Sequence, residues 1–248
     1  MSEEYIVKFE HSSAKQLVTV LEALGNIVDE ALFRFTQEGL TVKALDPAQI
    51  ALIIIRIPSE AFLEYSIEKD LEVGVNVNNL IKTLPKPKKG DKFVFKANEE
   101  FYEVIIESMS TKRYKYRSIE VSAQEVGEIT PEFKVSALVV ARAFKEALKD
   151  LKGAGTITFV AEDDQYLYLK ALEVNAEARL SRMGGSILEM EVKEPSRANY
   201  DEDYILKVLN LTGVTDAVNI KFGSDVPLYL SFTLVEGGNV EYLLAPKM

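Results

Sequence analysis

Residues 39–46, GLTVKALD, return 127 positions later as YLYLKALE at 166–173, sharing a leucine, a Lys-Ala-Leu run and a closing carboxylate. Self-similarity at a long period restricts a chain to copies of one structural unit. The order of elements around this anchor recurs as well. YIVKFE (5–10) alternates as a strand and leads into 12–28, where Leu17, Leu21, Leu24 and Val28 keep helical spacing. EFKVSA (132–137) leads in the same way into 139–153, where Val140, Phe144, Ala147, Leu148 and Leu151 form an apolar stripe. Gly25, and Gly153 with Gly155, stand near the ends of these helices, where a left-handed residue is easily accommodated.

Each long helix is followed by strands, ALFRFT and LTVKAL in the first copy, TITFVA and YLYLKAL in the second. A shorter helix comes next, NVNNLIKTL (76–84) or DEDYILKVLN (201–210). KFVFKA and FYEVIIES then close the first copy, VNIKFG and PLYLSFTL the second, with Asp91/Asp216 and Lys96/Lys221 at an offset of 125. The polar segment EVSAQEVGEITPEF, with Gly127 and Pro131, reads as a linker. The expected organisation is therefore a tandem α+β duplication, helices on one face of antiparallel sheets. Its parts are a first domain over 1–119, a linker over 120–133 and a second domain over 134–248.

The catalytic inventory is short. There is no Cys, which removes disulfides, thiolate metal sites and Cys nucleophiles. His11 is the only histidine, and its place near the end of a first strand predicts a solvent-facing turn residue. No G-x-x-x-x-G-K-[ST] or G-x-G-x-x-G run occurs, and KPKKGD (86–91) reads as a basic loop. No cofactor or metal is called for. Acidic residues are plentiful, so a carboxylate-dependent enzyme on a duplicated scaffold stays open as an alternative. No apolar run approaches the roughly 20 residues of a membrane span. MSEEYIVKFE lacks the pattern of a secretory signal, and an intracellular location is expected.

Charge gives the sharper clue. The chain has a formal net charge of −10, yet VVARAFKEALKDLKG (139–153) gathers Arg142, Lys145, Lys149 and Lys152. At about 100° per residue these four fall within an arc of roughly 80°, away from the apolar stripe. The first helix offers Lys15, and the short helices offer Lys82 and Lys207 at matching points of the repeat. A solvated helix face explains one such stripe; cations on all four helices of an acidic chain favour a phosphate-facing surface.

Three further segments carry a resemblance. SDVPLYLSFTLVEGGNVEYLLAPKM (224–248) holds a D-V-P-L and a terminal L-A-P-K pattern, VGVNVNNLIKTL (73–84) fits G-V-N-x-x-x-x-x-K-x-L, and LDPAQIAL (45–52) completes the series. Together with the duplication and linker, the chain resembles the proliferating cell nuclear antigen family, the sliding clamps of archaeal and eukaryotic DNA replication. The resemblance implies a non-enzymatic ring of three subunits, identical or paralogous, with helices lining a hole that admits double-stranded DNA. It implies DNA contact by Lys15, Lys82, Arg142, Lys145, Lys149, Lys152 and Lys207. It also implies a pocket for short peptides of polymerases, flap nucleases, ligases and the clamp loader, built from Leu45, Gln49, Ile50, Val126, Pro227, Leu243, Ala245 and Pro246. Leu243 stands where an aromatic residue is common in the family, and the apolar tail YLLAPKM is expected at the surface, as chain termini usually are. Subunits would join by edge-strand pairing, with TKRYKYRSIEV (111–121) and AEARLSR (176–182) as candidates, centred on Arg113, Tyr114, Lys115 and Tyr116 and on Arg179 and Leu180. A protein-only scaffold that keeps the fold without encircling DNA is the remaining alternative.

Overall fold

The computed structural model describes residues 4–122 and 131–247. They form two compact units, the first from the described residues of 1–47, 53–125 and 234–240, the second from those of 48–52, 126–233 and 241–248.

In the first unit β1 (Val7–His11) leads through α1 (Ala14–Gly25) to β2 (Glu30–Thr36), β3 (Gly39–Leu45), β4 (Ala51–Pro58), β5 (Glu64–Ile67) and β6 (Leu71–Asn76). Then come α2 (Val77–Thr83), β7 (Lys92–Ala97), β8 (Phe101–Glu107) and β9 (Thr111–Arg117). Strand order is β5-β1-β7-β8-β9 in one sheet, and β6-β2-β3-β4 runs in the other. The second unit repeats the sequence of elements: β10 (Val135–Val140), α3 (Ala141–Asp150), β11 (Thr156–Ala161), β12 (Tyr166–Ala171), β13 (Ala176–Ser181), β14 (Ile187–Val192) and β15 (Ser196–Asp201). After these stand α4 (Glu202–Leu206), β16 (Ala217–Phe222), β17 (Leu228–Thr233) and β18 (Asn239–Leu244). Its strand orders, β14-β10-β16-β17-β18 and β15-β11-β12-β13, are those of the first unit, strand for strand.

The repeat extends to single hydrogen bonds. Ala14 N–H at the start of α1 donates to Asp91 O at 2.8 Å, and Ala141 N–H at the start of α3 donates to Asp216 O at 2.9 Å. Alternation places Val7 and Phe9 inward on β1, where Phe9 meets Phe35, Phe62, Phe93 and Phe95 at centroid distances of 4.5–6.2 Å. In the second unit Phe159 meets Tyr200 and Phe222 edge-on at 5.5 and 5.8 Å, and the Tyr200 hydroxyl donates to Val226 O. The α1 helix packs on α2 and β7, and α2 packs on β2 and β6. For its part, α3 packs on β10, β13, β16 and a 3-10 turn at Leu209–Gly213.

Several sequence expectations are corrected. Val139 and Val140 belong to β10, because β-branched residues favour the strand, and α3 starts only at Ala141. At the other end Lys152 lies beyond Asp150, in the turn after the helix, so the arc of four cations is an arc of three plus a turn residue. The helix expected over 201–210 stops at Leu206 and resumes as the 3-10 turn. Gly153 and Gly155 do adopt left-handed φ, +93° and +67°. Gly25 does not: it is the last residue of α1, and a Cβ there would lie 2.5 Å from Ile81 Cδ1, so it serves the close approach to α2. The tail is not wholly at the surface, since Tyr242, Leu243 and Leu244 are buried within β18 and only Ala245 onward leaves the core.

His11 is the largest correction. It is fully buried, not a turn residue facing solvent. Gln16 explains why. The Gln16 Oε1 accepts Glu236 N–H at 2.9 Å, so its Nε2 is the donor, reaching Gly237 O and His11 Nε2 at 3.3 Å each. On the other side of the ring His11 Nδ1 lies 3.1 Å from both Ser13 O and Ser13 N–H, donating to the first or accepting from the second according to the tautomer. Burial holds the imidazole below its ordinary pKa, against the Ser13 backbone and the Glu236 charge, which act upward.

Candidate functional site

The helix cations divide into free and engaged groups. Lys15 stands exposed in the first turn of α1, whose Ser13 cap accepts from Gln16 N–H, and Lys82 is exposed in the last turn of α2. On α3, Lys149 is exposed and Lys145 half-buried, while Lys152 is exposed just past the helix. Among the described residues none of these five lysines meets a carboxylate or other hydrogen-bonding side chain. Arg142 differs: its Nε donates to Glu146 at 2.8 Å, one turn along the same helix. Lys207 is half-buried at the end of α4, its ammonium 3.9 Å from the Tyr204 ring centroid. Lys149 at the C-terminal end of α3 also meets the negative pole of the helix dipole.

Two structural contacts outside the sequence expectations hold this charge in place. The buried Glu202 carboxylate accepts Gly153 N–H and Gly155 N–H at 2.7 and 2.8 Å, fixing the turn that carries Lys152. Asp201 caps α4 through Asp203 N–H at 3.0 Å. The acidic run at the start of the short helix was the available signal for both.

The other buried carboxylates are spread through the fold. Glu103 meets Arg113 Nε at 3.3 Å and accepts from the Tyr5 hydroxyl, and Asp46 sits buried after β3. Among the described residues no group of three or more His, Asp or Glu is arranged to hold a metal ion.

The expected peptide pocket has its described members as follows. In the second unit Ala245 N–H donates to Ile50 O at 2.8 Å, tying the terminal segment to 48–52. Gln49 has φ of +60°, unusual for a residue with a Cβ, and it turns the chain so that Ile50 is 37% exposed. Ala245, Pro246 and Pro227 are half-buried, whereas Leu243 is buried. In the first unit Leu45 is half-buried beside a cavity of about 160 Å³ that Val28, Ile54 and Val121 also line. Val126 lies outside the described residues.

The candidate joining strands are both terminal in their sheets: β9 in β5-β1-β7-β8-β9 and β13 in β15-β11-β12-β13. Tyr114 and Tyr116 point inward from β9 and are half-buried, Tyr116 stacking on Tyr102 at 5.1 Å and sharing a hydrogen bond with the Thr83 hydroxyl. Arg113 and Lys115 point outward and are exposed. On β13 Leu180 is buried, and the exposed Arg179 lies over the Tyr166 ring at 4.9 Å. Two other terminal strands are covered. Ile119 N–H donates to Gly74 O on β6 at 3.0 Å, and Lys247 N–H donates to Asn199 O on β15 at 2.7 Å. Gly74 is required there, because a Cβ would lie 1.9 Å from Ile119 O.

Comparison with known proteins agrees with this geometry. Residues 6–128 match the family model for the proliferating cell nuclear antigen N-terminal domain, and 169–247 match that for its C-terminal domain. The DNA polymerase sliding clamp of Thermofilum pendens is 31% identical over 246 residues, covering 98% of this chain and 100% of the relative. DNA polymerase sliding clamp 1 of Aeropyrum pernix is 32% identical over 240 residues, with 94% and 97% covered. Among solved structures, a chain of the PCNA2–PCNA3 complex of Sulfolobus tokodaii superposes with a TM-score of 0.90 at 27% identity, over 97% of this chain and 99% of that one. PCNA of Thermococcus kodakaraensis superposes with a TM-score of 0.88 at 26% identity, over 97% and 100%. With a duplicated α+β frame, terminal strands left open and both halves matched in order, the chain belongs to the proliferating cell nuclear antigen family of DNA sliding clamps.

Proposed function

We propose that three such chains close into a ring around double-stranded DNA and act by enclosure, making and breaking no covalent bond. The domains are 1–119 and 134–248, joined by 120–133. The observation that carries this reading is the set of five lysines, Lys15, Lys82, Lys145 and Lys149 on helices and Lys152 in the turn after α3, without an acidic partner among the described residues of a chain whose net charge is −10. Solvated lysines on short helices suit loose phosphate contact, which holds duplex DNA without reading bases and lets the protein slide. Arg142 and Lys207 join them at small cost, since an exposed ion pair such as Arg142–Glu146 is readily exchanged for a phosphate. β9 and β13 supply the subunit edges through Arg113, Tyr114, Lys115 and Tyr116 and through Arg179 and Leu180.

The second surface is a docking pocket. Leu45, Gln49, Ile50, Val126, Pro227, Leu243, Ala245 and Pro246 receive short hydrophobic peptides, and polymerase, flap nuclease, ligase and clamp loader are the partners it serves. The exposed Ile50 side chain beside a backbone that already pairs with Ala245 supports this role, joining an apolar anchor site to strand-like hydrogen bonding. Replication and repair place this work inside the cell, and among the described residues no helix is long and apolar enough to cross a membrane.

Retention on DNA tests the reading. Loaded on a nicked circle the protein should stay bound through a salt wash, and it should be lost when the circle is linearised. Equal loss from both forms would remove the enclosure mechanism and leave a scaffold that docks proteins alone.

A further inference from the structure

The lysines of the first unit gather at one end of its helix pair. α1 and α2 run antiparallel: Gly25, the last residue of α1, lies against Val77 and Asn78 in the first turn of α2. The chain leaving α2 then returns to the start of α1, where Asp91 O accepts Ala14 N–H at 2.8 Å. Lys82 in the last turn of α2, Lys15 in the first turn of α1 and the loop KPKKGD (86–91) therefore share this end. The loop is held in shape. Lys88 N–H donates to Asp91 Oδ2 at 2.8 Å, Asp91 N–H donates to Lys88 O at 3.2 Å, and Gly90 takes a φ of +90° to close the turn. Pro85 and Pro87 fix their own φ, so the lysines beside them are presented at reduced entropic cost. Lys86, Lys88 and Lys89 are exposed, and among the described residues none of them meets a carboxylate or other hydrogen-bonding side chain. The acids nearby are engaged: Asp91 with Lys88 N–H, and Glu10 with Lys92 at 2.6 Å, while Glu107 stands across from Lys92.

The second unit uses the same place differently. At the offset that relates Asp91 to Asp216, Lys86 and Lys89 correspond to Leu211 and Val214, both buried. Its segment between Lys207 and Asp216 carries no charge at all. The lysines of 86–89 are therefore no requirement of the frame. Together with Lys15 and Lys82 they reverse the local field of a chain whose net charge is −10, and such a reversal attracts phosphate. The loop has no aromatic residue on which a base could stack, which favours the backbone of a duplex over a single strand. Resting on the reading of the protein as a ring around DNA, we propose that Lys86, Lys88 and Lys89, with Lys15 and Lys82, form a phosphate-binding site that grips the duplex backbone at this end of the α1–α2 pair. The site adds to the contacts of α3, whose free lysines Lys149 and Lys152 stand at the close of the helix instead of its start.

Neutralising the loop tests this. Lys86→Gln, Lys88→Gln and Lys89→Gln combined should leave the urea midpoint of the full chain where it is, because all three side chains are exposed. Affinity for a short linear duplex, followed across a salt series, should then depend on log salt less steeply by about two to three. Lys86→Arg, Lys88→Arg and Lys89→Arg combined keep the charge and should keep the wild-type slope. Sedimentation equilibrium without DNA should give the same self-association for all three proteins. A wild-type slope in the glutamine variant overturns the proposal; if Lys145→Glu with Lys149→Glu still lowers the slope, the ring reading stands without this site. A slope that falls only in step with weakened self-association also overturns it, since the loop then meets acids of another copy and not phosphate. If neither set of changes moves the slope, the DNA reading itself fails and takes this site with it.

Discussion

α1 and α3 occupy the same place in the duplicated frame and are put to different uses. α1 has Ser13 as a side-chain cap, buries eight of its twelve residues and presents one outward lysine at its start. α3 is ten residues long, starts at Val140 without a side-chain cap, and buries only Ala141, Phe144, Ala147 and Leu148. The difference shows what duplication allows. One copy of a helix is committed to holding its unit together, through Gln16 and His11 as much as through leucines. The other hangs on one aromatic anchor and gives its remaining surface to charge.

The contrast can be tested in descending order of effect. Phe144 is fully buried, and Phe144→Ala should cost about 3–5 kcal/mol in urea unfolding; a loss near zero would show that α3 is anchored by something else. On the α1 side, Gln16→Ala leaves Glu236 N–H, Gly237 O and His11 Nε2 short of partners and should cost about 1–3 kcal/mol by the same measurement.

The two helices should also differ in pH response. His11 is held below its ordinary pKa of 6.5, so the unfolded chain binds its proton more readily than the folded one. Its contribution to stability is full above pH 6.5 and is lost as pH falls below that value, at no more than about 1.4 kcal/mol per pH unit. The denaturation midpoint followed from pH 8 to pH 5 should fall in wild type and flatten between 6.5 and 5 in His11→Gln. No histidine serves α3, and the same slope in both proteins would assign the acid response elsewhere.

Charge reversal gives the smallest effect on stability and a distinct effect on DNA. Lys145→Glu with Lys149→Glu should leave the denaturation midpoint unchanged, yet lower the dependence of log affinity on log salt by about two. Arg142→Ala should change that slope less, because Glu146 is released when Arg142 is removed. Equal effects for the single and double variants would mean that the pairing of Arg142 is immaterial.

Much of the fold was legible because its signals are local. The KAL anchors of β3 and β12 and the alternation of β7, β8, β16 and β17 read directly as duplicated antiparallel strands. The terminal position of β9 was visible in its run of cations. What escaped depends on distant partners. Nothing near His11 announces that Gln16 will bridge it to Gly237, more than two hundred residues on, and so a buried imidazole read as a surface turn. Helical spacing carried Val140 and Lys152 into α3 because periodicity does not register where a strand's hydrogen bonds end. Of the site, the lysines were readable by type and spacing, but the engagement of Arg142 by Glu146 and of Lys207 by Tyr204 appears only in three dimensions.

The Glu202 clamp on Gly153 and Gly155 has a consequence for how this surface can evolve. Both glycines sit at left-handed φ, where any side chain is strained even though a Cβ at Gly153 would touch nothing. The turn is thereby closed to substitution while its neighbours Lys149 and Lys152 stand in open solvent without structural duties. A lineage can exchange those lysines, drop one or gain another, with the frame that presents them unchanged.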